Sequence, residues 1–266
     1  MLRTRVITAL LLLLLLIPAL LLLSSLLWQC AVLLVLMVAA WEWTRLARFT
    51  DKQMWAFVVL TGVVGGLLLM AGPGAARVAY GVAFVFWLVF VPFMFMTARR
   101  PAGWLAAITG WCVLLPFAFA VVDLRELGPW LLVSVMALVW VADIAAYFAG
   151  RAFGVHKLAP TISPGKTWEG VLGAIVASAL YVVANLYFDN PLLVGQPAWC
   201  VVLIAATPLT AVSILGDLFE SAMKRAAGLK DSSNLLPGHG GVLDRIDSLT
   251  STLPMAALLL NWSGKL

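Results

Sequence analysis

Charge is the scarcest property of this chain. Only 11% of its 266 residues are Asp, Glu, Lys or Arg, where a water-soluble domain carries about 25%. Histidine is nearly missing, with two in the whole sequence, and the three cysteines (Cys30, Cys112, Cys200) stand far apart in or beside apolar runs. That excludes a zinc module or a disulfide framework built on short Cys and His spacings. Pro/Gly/Ser-rich linkers are missing too, which points to a single domain over residues 1–266.

What fills the space is hydrocarbon. Residues of the hydrophobic class make up 64% of the chain and come in long unbroken runs rather than in alternation. A core of this length cannot hide so much apolar surface from water. The sequence is therefore expected to be an all-α, polytopic integral membrane protein, not a barrel. Runs near the ~20 residues that a bilayer requires fall at about 6–26, 27–46, 55–70, 78–97, 103–122, 130–150, 168–188, 199–215 and 249–262. That is about nine transmembrane helices, or eight if the join at 24–29 is not a break. Arg3 and Arg5 before a leucine run imitate a secretory signal, but the run is too long and no small-x-small cleavage pattern follows.

With the N-terminus in the cytoplasm, 14 of the 17 Lys and Arg fall in inside segments and only Arg77, Arg125 and Lys265 outside. Such asymmetry is the positive-inside pattern, and it explains the net charge of +5 without nucleic acid. Trp41, Trp43, Trp55, Trp130, Trp168, Trp199 and Trp262 sit near span ends, as interfacial anchors should.

One stretch collects what the rest lacks. Residues 216–248 hold nine charged side chains in 33 residues, and one of the two histidines, His239. Asp217, Glu220, Ser221, Lys224 and Arg225 share a face if the preceding helix continues, with the carboxylates a turn deeper than the cations. Asp244 and Asp247 repeat the i, i+3 spacing just before the last span. Several carboxylates brought together repel unless a divalent cation joins them, and an oxygen-only donor set favours Mg²⁺ over zinc. A salt-bridged amphipathic helix is the plainer alternative. Gly238, Gly240 and Gly241 around His239 allow a sharp bend or a close approach; His239 is expected to line the site, or to be only a turn residue.

A second inside loop, 151–167, ends in Ser163–Thr167, reading SPGKT. A P-loop would need glycine where the chain has Pro160. Lys166 and the amides opening the next helix after Thr167 still suit a phosphate. Asp143, inside the sixth expected span, should face the bundle interior or a wet cavity, with Tyr147 one turn on; a hydrogen-bonded structural Asp is the alternative. Glu42, between two tryptophans, is expected to snorkel to the interface.

From Ser221 to Asp247 the chain reads S-x-M-K-R, then K-D, then L-P-G-H-G-G-V-L-D-R-I-D, and across these 27 residues it resembles the diagnostic pattern of the phosphatidate cytidylyltransferases (CDP-diacylglycerol synthases). D-x-x-A-Y-F-x-G from Asp143 and S-P-G-K-T-x-E-G from Ser163 are similar to that family's as well. The resemblance implies that CTP and phosphatidic acid give CDP-diacylglycerol and pyrophosphate, with Mg²⁺ as cofactor. It implies Asp217 and Asp244 as metal ligands, joined by Glu220 and Asp247. Lys224, Arg225, Lys166 and Arg245 would hold the triphosphate, the departing pyrophosphate and the lipid phosphate. Ser163, Thr167, Ser221, Lys230 and Asp143 would line the substrate, and His239 would stand among the catalytic groups. The implied setting is a bacterial inner membrane with the site on its cytoplasmic side, motif-poor spans over 1–122 and a catalytic portion over 130–266. A homodimer fits that setting.

Three rivals bear on the same residues. A transporter could use Asp143, Asp217 and Glu220 as a cation path, but would gain little from the clustered Lys and Arg. A CTP-dependent polyprenol kinase would release CDP, not pyrophosphate. A CDP-alcohol phosphotransferase would need a D-G-x-x-A-R motif that is absent.

Overall fold

The computed structural model describes residues 2–97, 100–187 and 205–262. Helices α1 (Leu2–Leu22), α2 (Ser25–Leu46) and α3 (Asp51–Met70) open the chain. Next, α4 (Pro73–Val85) passes through a π-helical turn (Phe86–Phe90) into α5 (Val91–Thr97). Long helices α6 (Trp104–Leu127) and α7 (Pro129–Phe153) lead to a hairpin, β1 (Lys157–Ala159) and β2 (Ser163–Thr167). Then come α8 (Trp168–Tyr187), α9 (Thr207–Ala226) and α10 (Leu243–Trp262).

Six helices among the described residues are long and apolar enough to cross a membrane: Ser25–Leu46, Asp51–Met70, Gly74–Thr97, Trp104–Leu127, Pro129–Phe153 and Trp168–Asn185. The apolar part of α1, Ile7–Leu22, is shorter. The 20-residue helices α9 and α10 carry the charge-rich motif at their adjoining ends, which lowers their hydropathy. The expected eighth span, 199–215, lies partly outside the described residues, and α9 does not end at 215 but continues through the polar run to Ala226. The doubtful join at 24–29 is a real break, because Ser24 caps α2 by accepting from the Leu27 amide.

The outer faces are oily. Leu14, Leu22, Leu67, Leu172 and Leu180 are all exposed, which suits hydrocarbon rather than water. Trp55, Trp130, Trp168 and Trp262 are exposed as anchors should be, while Trp199 lies outside the described residues. Trp43 departs from expectation. It is buried, donates Nε1–H to the Ala106 carbonyl at 2.9 Å and stacks on Phe219 with centroids 6.1 Å apart. Phe86 and Trp87, presented by the π turn, meet the same Phe219 ring edge-on. Phe219 thereby locks α9 against α2 and α4, with Glu220 as its neighbour in sequence.

Inside a bilayer helices gain no hydrophobic drive toward one another, so close van der Waals fit holds them. The α7–α8 seam is made of small residues: a methyl on Gly173 would lie 2.4 Å from Ala149 Cβ, and one on Gly170 2.8 Å from the Ala146 carbonyl oxygen. At the second seam, a methyl on Gly216 would lie 2.4 Å from Ser251 Oγ and 2.8 Å from the Asp247 carbonyl oxygen. Gly216 therefore lets α9 press onto the first turns of α10.

The expected loop 151–167 begins as the end of α7 and contains an antiparallel hairpin pairing Lys157 with Thr167 and Ala159 with Ser163. A strand precedes the GKT segment, but as its hairpin partner, so no phosphate loop is formed. Of the cysteines, Cys30 and Cys112 are free thiols, and Cys200 lies outside the described residues.

The Gly216 contact yields a stability test. Gly216→Ala should destabilise the detergent-purified protein by about 1–3 kcal/mol through overpacking, read as a lowered melting temperature. Gly81→Ala, where nothing stands within 4 Å, should leave it unchanged.

Candidate active site

The C-terminal ends of α2, α7 and α9, the hairpin, and the N-terminal ends of α8 and α10 meet at one end of the bundle. At their centre is Lys224, whose Nζ lies 2.7 Å from Asp244 Oδ1 and 3.3 Å from Glu220 Oε1. These residues lie beyond the expected spans of α9 and α10. Burial alone would drive the ammonium toward its neutral form, but Glu220 and Asp244 outweigh burial and raise its pKa, so Lys224 stays charged. Burial likewise opposes ionisation of Asp244. The bond from Lys224 and the amides of Gly241 and Ser232 prevail and hold its carboxyl below the ordinary range.

Asp244 is engaged on both oxygens, with Lys224 the one partner of Oδ1 among the described residues. Its Oδ2 accepts from Ser232 N–H, Ser232 Oγ and Gly241 N–H, each at 2.8 Å. Glu220 is its opposite: both carboxylate oxygens are buried and accept no hydrogen bond among the described residues. Such groups are costly unless a charge answers them.

A second ion pair lies beside the first. Lys166, carried on β2, places Nζ 2.7 Å from Asp217 Oδ2, and Ser221 Oγ donates to Asp217 Oδ1 at 3.1 Å. The hairpin thus bridges the two charged segments singled out in the sequence. Asp143 and Asp247 both lie within electrostatic reach of Asp217. Asp143 is solvent-exposed, and Lys166 as well as Asp217 acts on it electrostatically. Asp143, Asp217, Asp247 and Glu220 form an acidic lining that Lys166 and Lys224 only partly offset.

This donor set suits a hard divalent cation, since it is all oxygen and includes two buried Glu220 oxygens whose one charged neighbour in an ion pair is Lys224, 3.3 Å from Oε1. Among the described residues no three acidic, His or Cys side chains are yet gathered as a finished metal site. Lys166 and Lys224 stand between them instead.

The remaining expected residues divide. Arg225, Lys230 and Arg245 are exposed at the rim, and Arg225 Nη1 reaches back to the Leu229 carbonyl at 3.5 Å. His239 sits half-buried in the LPGHGG turn, where its amide donates to the Leu236 carbonyl and Gly238 and Gly240 adopt φ of 76° and 80°. Ser163 pairs with Ala159 in the hairpin. Thr167 is buried as a cap, and the helix amides expected to meet phosphate are taken. Trp168 N–H donates to the His156 carbonyl at 2.9 Å, and Gly170 N–H to Thr167 Oγ1 at 3.1 Å. Tyr147, expected on the face of Asp143, is exposed and accepts from Arg151 Nη1.

Glu42 was misjudged by sequence reasoning. It does not snorkel: it is 0% exposed. Its Oε1 accepts from Ser233 Oγ at 2.6 Å and Val242 N–H at 2.9 Å, and its Oε2 from Leu243 N–H at 2.6 Å and Ser232 Oγ at 3.2 Å. Gly241 must lack a side chain here, because a methyl would lie 2.4 Å from Glu42 Oε1 and 2.1 Å from Ser232 Oγ. The available signal was an acid within an apolar helix, which is functional by default.

Comparison with known proteins agrees with this arrangement. Residues 3–263 match the model of the Cytidylyltransferase family. A protein of Pseudomonas aeruginosa named phosphatidate cytidylyltransferase is 42% identical, over 99% of this chain and 98% of its own. Proteins of the same name from Haemophilus influenzae and Brucella suis are each 36% identical, the first over 96% of both chains, the second over 97% of this chain and 92% of its own. Since the match runs almost from end to end and takes in every residue of the cleft, the chain belongs to the cytidylyltransferase family.

Proposed function

We propose that this cleft transfers CMP from CTP to phosphatidic acid, giving CDP-diacylglycerol and pyrophosphate for phospholipid synthesis. The observation that carries the reading is the Lys224 and Lys166 pairing with Glu220, Asp244 and Asp217 at one open cleft, in a chain related end to end to proteins of that name.

In the reaction a phosphate oxygen of phosphatidate attacks the α-phosphorus of CTP. The bond from that phosphorus to the β-phosphate oxygen breaks, and pyrophosphate leaves with the electron pair. The lipid phosphate is already anionic, so positioning and charge compensation do most of the work. Lys224, held protonated, presents a fixed positive charge to the reacting phosphates. Lys166 offers a second from its ion pair with Asp217. Arg225, Lys230 and Arg245 at the rim receive the triphosphate and the lipid headgroup. Mg²⁺ held by Asp217, Asp244, Glu220 and Asp247 would neutralise phosphate oxygens and polarise the α-phosphorus.

The grouping of these side chains at helix ends that are all inside ends under an N-in topology supports a cytoplasmic site. Nine spans fit that topology, and the relationship to bacterial proteins suits a bacterial inner membrane. CTP would then enter from the cytoplasm and phosphatidate from the leaflet.

The test is pyrophosphate release from CTP with Mg²⁺ and phosphatidate, using detergent-purified protein. Wild type should release pyrophosphate and form a CDP-lipid, while Asp217→Asn and Asp244→Asn should lose both. CDP release with a phosphorylated lipid would assign a kinase, and no CTP turnover would favour a transporter. Lys224→Met should lower kcat by about 10²–10³-fold, the loss typical of removing one transition-state charge contact.

A further inference from the structure

We propose that Glu42, in the motif-poor N-terminal third, is a positioning residue for CMP transfer. It holds the loop 232–243 so that Asp244 meets Lys224. This rests on the reaction proposed above and adds to it a residue that the diagnostic motifs do not contain.

The loop has little structure of its own. Its only ladder contact among the described residues is the bridge between Leu236 and Gly240. It is anchored instead by two carboxylates, one at the start of α10 and one on α2. Asp244 takes the amides of Ser232 and Gly241, and Glu42 takes those of Val242 and Leu243. The latter two open α10 and would have no partner within that helix, so Glu42 caps α10 from another helix and sets its negative charge at the positive end of the dipole.

Ser232 couples the two anchors. Its hydroxyl lies 3.2 Å from Glu42 Oε2 and 2.8 Å from Asp244 Oδ2. One proton serves two acceptors, so a shift of either carboxylate is felt by the other. Glu42 itself cannot drift, because Ala39, Ala40 and Trp43 around it are buried in the core. All four groups facing it are donors, which fixes the chemistry required: an acceptor on both oxygens. An amide would turn its NH₂ toward one backbone N–H and one hydroxyl, losing the first bond outright and forcing the hydroxyl to accept instead of donate.

The experiment compares Glu42→Gln, Glu42→Asp, Ser232→Ala and the Glu42→Gln/Ser232→Ala double variant with wild type. Pyrophosphate release is measured per unit of folded protein, with folding read from the thermal melt. Glu42→Gln should lower kcat by about 10–100-fold, the usual loss on removing a partner behind a catalytic ligand, with KM for CTP little changed. Glu42→Asp, which keeps both acceptor oxygens, should recover part of the rate. The double variant should cost no more than the worse single one, since both act through one bond network.

Activity-independent evidence comes from trypsin cleavage after Lys230, exposed at the start of the loop, which should accelerate in Glu42→Gln. Unchanged kcat and unchanged cleavage would overturn the proposal, as would a rate that merely follows the folded fraction or independent effects of the two single changes. Wild type without CTP turnover would instead sink the reaction assignment, while the cleavage rates would still decide whether Glu42 holds the loop.

Discussion

A single buried ammonium organises this end of the molecule. Lys224 ties α9 to α10 and offsets Glu220 and Asp244, beside the Lys166–Asp217 pair at which the two conspicuous charged segments of the chain meet. Without it, two carboxylates would face each other across a seam too close for water to relieve them. The geometry around it follows from that need. Gly216 lets α9 approach α10, Phe219 locks the helix that carries Glu220, and the glycine turn after Pro237 brings amides to Asp244. Stability and chemistry are therefore requirements of one set of contacts.

The hairpin solves a related problem. A polypeptide leaving α7 and entering α8 could cross the interface as an unstructured loop, with Lys166 in water. Pairing Lys157 with Thr167 instead gives it a defined shape, and buried Thr167 closes the start of α8. The small-residue seam between α7 and α8 keeps the two helices at one spacing, so the position of Lys166 relative to Asp143 is built in. Lys166 reaches Asp217 from the hairpin, which makes the cleft a junction of separate elements rather than a feature of one helix.

Local pattern reached some of these features and missed others for identifiable reasons. Hydrophobic runs located the helices, because a span is a property of consecutive residues. The i, i+4 spacing of Asp217 and Ser221 anticipated their hydrogen bond, since both lie on one helix. Neither the hairpin nor the burial of Trp43 could be read so, because both depend on what packs opposite. Glu42 is the clearest case: its partner Ser232 lies 190 residues away. Next to a span end, a snorkelling acid and a buried cap have the same sequence. The helix start at Thr167 failed differently, since its amides are consumed by local capping that the motif does not announce.

That long separation also orders events during synthesis. A chain emerges N-terminus first and, at roughly 5–20 residues per second, α2 is complete well before the serines that will bond Glu42 exist. Until then its carboxylate lacks its four donors and must keep company with water at the membrane surface, as an isolated acid does. Only when α10 arrives can the loop close over it and the acid sink into protein. The catalytic end is therefore the last part of the molecule to become itself, and a ribosome that stalls before α10 leaves a bundle of helices with no cleft.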